Sequence, residues 1–373
     1  MSGVGQGPQP PYPPQPPYGE FAPQQQPAYP QGPYVPPGSS QNVPPYPGMI
    51  APPPVEDPTP YHRLFRTSRR YAWWRPLVAV ALFIVFYLVL SIVVAVAWFI
   101  AALASGDADF AMMTDPTALL AHLSDTSNPL SLAYLLASVA IMLPCVPLAM
   151  LCAGLRPVGL RHSVAFRIRW RWMLWCAIPA LVITVVNSAL SFLPLAFGEP
   201  LVPVPVPAAT FAVSVVVILL LVPLQSAAEE YVFRGLMLQT LGAWLRPVWP
   251  AIVLSTVIFT IGHTQYEIWG MLSVAVMGAG FAVVTWRTGG LEAAIALHVV
   301  NNVISFLLLT SGVLGTTVMS SEGSGPLAPL VQAVFTAAYL LWVELAARRR
   351  GIARVRRLGE GASVETPSFA RRR

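Results

Sequence analysis

Eight stretches of mostly apolar residues run through this chain, near 75–104, 129–153, 172–197, 207–228, 248–264, 268–286, 290–312 and 327–347. About 20 such residues cross a bilayer core as one helix. In hydrocarbon every backbone N–H and C=O must find its partner inside the protein, so runs of this kind fold as helices. The expected fold is therefore all-α: a polytopic membrane helix bundle of about eight transmembrane helices. Only 10% of the 373 residues are charged, against about 25% in a soluble chain. The fourth run is the least sharply bounded. Its apolar character continues past Glu229, and a helix from Val216 to Trp244, bent at Pro223, fits the same residues.

The ends differ in kind from the middle. Residues 1–60 hold 21 of the 39 prolines and three charges. Such a segment cannot bury enough apolar surface to offset its ordering entropy, so it reads as a disordered Pro/Gln/Tyr-rich tail. It lacks the basic start and apolar core of a signal peptide. The membrane bundle is expected over 61–350, followed by a basic C-terminal tail over 351–373. All 22 basic residues are arginine and the net charge is +6. The arginines cluster at segment ends, which is a topology signal and not a nucleic-acid signal. Arg63, Arg66, Arg69, Arg70 and Arg75 precede the first span, and the next loop carries Asp107, Asp109, Asp115 and Asp125 without a basic residue. Alternation along eight spans puts every basic loop on one side. It predicts a multi-pass protein with both termini cytoplasmic; a bacterial plasma membrane is the expected location. Cys145, Cys152 and Cys176 read as buried packing thiols.

Ionisable groups are costly in lipid and persist where they pair, line a wet cavity or do chemistry. Four stand in these apolar runs: Glu229, Glu230, His263 and His298. Glu230 lies four residues before Arg234, the favourable order for a helical ion pair. Glu229 is left without that local partner. It lies 17 residues before Arg246, and His263 lies 17 after it. In an antiparallel hairpin turning at Arg246 the two share a depth of at most roughly 25 Å, so a Glu229–His263 contact is expected. Phe259 shares a face with His263. His298 and Asn302, four apart, project from one face beside Asn301, although counting from Arg287 makes His298 shallower than His263. Packing anchors and interhelical polar glue are the competing explanations for these residues. Glu292, in the first turn of its helix, reads as a dipole-favoured carboxylate. His62, His122 and His162 lie in loops and flanks and are assigned no chemistry.

Glu229-Glu230-Tyr231-Val232-Phe233-Arg234, then Phe259-Thr260-Ile261-Gly262-His263, then His298-Val299-Val300-Asn301-Asn302, together resemble the motifs of the CPBP family of intramembrane proteases. That family includes the type II CAAX prenyl endopeptidases and bacteriocin-processing or immunity relatives. The resemblance covers about 205–310. It implies a cavity open toward the cytoplasm and hydrolysis of a peptide bond in a membrane-associated protein or peptide. It further implies that Glu229 and His263 activate water, that His298 and Asn302 form the oxyanion hole, and that Glu230, Arg234 and Phe259 support them. A metal-free glutamate mechanism without a cofactor is preferred, and zinc held by Glu229, His263 and His298 stays open as the alternative. A non-catalytic immunity or partner-binding protein on this scaffold, and a proton-coupled transporter, are the rival functions. The expected partners are the substrate and the lipid bilayer, with no nucleic acid. Oligomeric state is not legible.

Overall fold

A computed structural model describes residues 57–198, 200–319 and 325–357. The tail expected over 1–60 lies almost wholly outside the described residues, as does most of the C-terminal tail.

Each predicted segment corresponds to a helix: α1 (Arg75–Ser105), α2 (Pro129–Cys152), α3 (Trp170–Phe192), α4 (Ala208–Trp244), α5 (Val248–Ile261), α6 (Ile268–Thr288), α7 (Glu292–Thr310) and α8 (Ala328–Arg349). Among the described residues, seven are long and apolar enough to cross a membrane. The chain is thus a multi-pass integral membrane protein. The exception is α5. Its 14 residues rise only about 21 Å, short of the roughly 30 Å of hydrocarbon. Gly262 closes the helix, so His263 stands in the turn beyond it.

The fourth segment is longer than its apolar core suggests. α4 runs 37 residues, α-helical to Glu230, π-helical over Tyr231–Met237 and α-helical again over Leu238–Trp244. Both readings of its limits were partly right: it starts near 207 and ends at Trp244. Single-turn π segments recur at functional sites, and this one begins directly after the glutamate pair.

Packing follows the apolar faces. α7 lies against α3 and α4, α2 against α4 and α1, α6 against α8 and α5. One core gathers Phe83, Val146, Met150, Leu236 and Ile252 from α1, α2, α4 and α5. A second joins Cys176, Phe281, Leu297 and Tyr339 from α3, α6, α7 and α8. The outer side of α1 exposes Leu77, Ile84, Leu88 and Ile92 at near-helical spacing. An apolar stripe with no protein against it is a lipid face.

Three features were not legible beforehand. The arginine-rich flank before α1 is partly a buried plug. Tyr61–Thr67 forms a 3-10 turn with Tyr61, Leu64 and Phe65 fully buried. Arg63 Nη1 donates to the carbonyls of Gly242 and Leu245, at 2.8 and 3.2 Å. It thereby satisfies open carbonyls at the negative end of the α4 dipole. Glu292 is more than a dipole-favoured carboxylate: it is fully buried and bound by Arg169 through Nε (2.8 Å), Nη2 (2.7 Å) and the backbone N–H (3.0 Å). This fork ties the loop before α3 to the start of α7. Finally, Cys145 and Cys176 are buried thiols as expected, but Cys152 is exposed. It sits in the last turn of α2, where the helix leaves the core.

Candidate active site

In α4, residues four apart share a face. One turn below Glu229 stands Gln225, whose Nε2 donates to Glu229 Oε1 at 2.8 Å. Gln225 Oε1 in turn accepts from Asn302 Nδ2 of α7 at 3.1 Å. One turn above Glu230 stands Arg234, donating to Glu230 Oε1 at 2.9 Å. The expected helical ion pair is therefore present, with both side chains essentially sealed from solvent. The second guanidinium nitrogen donates to the carbonyl of Gly278 in α6 at 2.6 Å. The guanidinium also lies 4.5 Å from the Phe259 ring centre and 5.2 Å from that of Phe281, positions that favour cation–π attraction.

His298 joins the two glutamates. Its Nδ1 is 2.8 Å from Glu230 Oε1, and its Nε2 is 3.3 Å from Glu229 Oε2. The first contact is a well-formed hydrogen bond. The second is off line, and Glu229 Oε2 is left without a hydrogen bond among the described residues. Phe281 stacks on the imidazole at 4.8 Å and 19°, and Phe259 meets it edge-on. Two rings thus fix the orientation of His298 while its nitrogens address the carboxylates.

His263 lies on the other side of Phe259, with ring centres 4.5 Å apart. Its Nδ1 is 2.8 Å from the Phe259 carbonyl oxygen. A carbonyl only accepts, so Nδ1 carries the hydrogen. In the neutral ring, Nε2 is then the basic nitrogen. The expected direct contact of Glu229 with His263 is not made: Glu229 is held by Gln225 and approached by His298. The hairpin count matched depths but not rotation about the helix axes. Counted from Glu292, where α7 starts, His298 is only six residues in; it reaches the glutamates because that start is itself buried, with Glu292 fully enclosed.

Glu229, Phe259, His263, His298 and Asn302 all line one cavity of about 410 Å³. Glu230 and Arg234 stand behind its wall. The cavity also carries Gln225, Tyr266, Asn187 and Gln332, none of which was singled out from sequence. Gln225 had a signal, being an amide in an apolar run four residues before Glu229. Asn187 and Gln332 come from distant helices and had none. Burial pushes the Tyr266 phenol above its ordinary value, so it stays a neutral donor on the cavity wall.

Among the described residues, no three His, Cys, Asp or Glu side chains form a metal-ligating group. Glu229, His263 and His298 do not form such a group as placed.

Such a fold and site define a class: a helical membrane protein with a buried carboxylate–imidazole cluster opening into an intramembrane cavity. Residues 209–304, which hold every motif residue, match the family model described as Type II CAAX prenyl endopeptidase Rce1-like. The match covers 96 of the 373 residues, and the family so described is one of CAAX-type endopeptidases. No curated protein matches the chain, and no solved structure does.

Proposed function

We propose that this protein is an intramembrane endopeptidase that hydrolyses a peptide bond of a membrane-associated protein or peptide without a metal. One observation carries the reading. A nearly buried carboxylate, Glu229, has one oxygen held by Gln225 and the other lacking a hydrogen bond, on the wall of a cavity shared with His263 and Asn302.

Amide hydrolysis needs a base for water and donors for the developing oxyanion. Glu229 is the base, and the basic Nε2 of His263 shares the attacking water with it. The water proton passes to Glu229 and then to the leaving amine. Glu230, anchored by Arg234, holds His298 beside Glu229 through that proton's transit. Asn302 presents its amide to the oxyanion. His298 is assigned to the same task by resemblance; its Nε2 faces Glu229 Oε2 at 3.3 Å. The apolar wall of Leu135, Val139, Phe306 and Leu309 suits an apolar or lipid-modified segment as substrate.

The test is cleavage of a membrane-protein fraction by protein reconstituted in nanodiscs. A positioned general base contributes about 10²- to 10⁴-fold, so Glu229→Gln and His263→Ala each lower the rate by that order. Chelator leaves the wild-type rate unchanged. Wild-type cleavage by the Glu229→Gln protein removes the proposal, and loss with chelator restored by zinc removes its metal-free form.

A further inference from the structure

Away from the cavity, the junction of α1 and α2 gathers positive charge. Arg69, Arg70 and Arg156, with Leu151, Pro157 and Val158, line a second cavity of about 570 Å³. All three arginines are exposed. Among the described residues none of their guanidinium groups makes a hydrogen bond or an ion pair. Neighbouring basic residues are otherwise engaged: Arg75 donates to the Ala153 carbonyl, and Arg66 to that of Ala243.

The backbone under the cluster is pinned. The buried Ser68 accepts from the Arg156 backbone N–H at 3.0 Å, which fixes the segment before α1 against the loop after α2. Three like charges are thus held together with no counter-charge among the described residues, an arrangement that self-repulsion opposes unless an anion enters. The surroundings state which anion. Trp73 and Trp74, just before α1, are 66% and 43% exposed. Leu151 lines the cavity, and Leu148, three residues earlier in α2, is exposed as well. Exposed tryptophans at the end of a spanning helix mark the headgroup level, and exposed leucines below them face acyl chain.

We propose that Arg69, Arg70 and Arg156 form a binding site for the phosphate of an anionic phospholipid. The headgroup lies among the guanidiniums and the acyl chains run down past Leu151 and Leu148. The guanidinium fork matches phosphate oxygens in pairs. Free phosphate shares that chemistry, but the apolar floor favours the lipid.

The assay is native mass spectrometry of the full-length protein released from micelles containing phosphatidylglycerol or phosphatidylcholine, with inorganic phosphate as a separate arm. A basic residue near a membrane surface is worth about fivefold in anionic-lipid affinity. Arg69→Gln/Arg70→Gln/Arg156→Gln therefore loses roughly a hundredfold of its preference for phosphatidylglycerol, and each single change loses roughly fivefold. An equal charge change elsewhere, Arg167→Gln/Arg171→Gln/Arg349→Gln, loses clearly less of the preference. The single variants serve where the triple variant does not insert. Equal losses in the two triple variants, or none in the first and in the singles, overturn the site. Inorganic phosphate that displaces phosphatidylglycerol at equal concentration overturns the lipid as its ligand.

Discussion

Arg234 is the most informative residue to perturb, because it holds Glu230 from within the protein. Arg234→Met removes the guanidinium and keeps the side-chain volume. Its side chain is 1% exposed and that of Glu230 is 0% exposed, so water cannot take over the lost pairing. Breaking one partner of such a buried pair costs about 3–5 kcal/mol, mostly the penalty of an uncompensated charge. The Gly278 carbonyl, which Arg234 Nη2 meets at 2.6 Å, also loses a donor, at about 1–3 kcal/mol. Adding Glu230→Gln removes the orphaned charge and leaves only the carbonyl penalty. The double variant is therefore more stable than Arg234→Met alone, by about 3–5 kcal/mol, the charge penalty it removes. Reversible unfolding in mixed micelles, read by tryptophan fluorescence over the full two-by-two cycle, measures this. Neither variant regains cleavage, since His298 has lost its anchor. A double variant less stable than Arg234→Met, or an Arg234→Met cost below about 1 kcal/mol, refutes the view that Glu230 is charged and held by Arg234.

Three further outcomes are expected. Gln225→Ala frees Glu229 Oε1 and lowers turnover about tenfold or more, while thermal unfolding in detergent shifts by only a few degrees. Gly242→Ala places a Cβ 2.0 Å from the His62 carbonyl oxygen, so it destabilises the plug by about 1–3 kcal/mol, seen as a lower midpoint with unchanged span topology. His162, in the loop between α2 and α3, is pushed down from 6.5 to about 4 by burial and then by Arg161. The unfolded chain therefore takes up that proton first, and its contribution to stability is complete above pH 6.5 and is lost as pH falls toward 4. The difference in unfolding midpoint between wild type and His162→Gln should shift across that window, and a difference constant from pH 7 to 4 refutes the assignment.

What the linear chain determined is what is local. Apolar run length set seven long helices, because a backbone in hydrocarbon has one way to satisfy itself. Four-residue spacing set the Glu230–Arg234 pair, because both lie within one helical turn. The motif order over three helices was enough to mark the family segment. Rotation and relative depth of the helices are not encoded by period. The insertion of His298, 68 residues after Glu230, between the two glutamates was decided by packing of Phe259 and Phe281 around its ring. The same holds for Glu292, whose charge is affordable inside the protein only because Arg169 arrives from 123 residues away. A buried charge needs a partner of the right geometry, and only the tertiary fold chooses which one it meets.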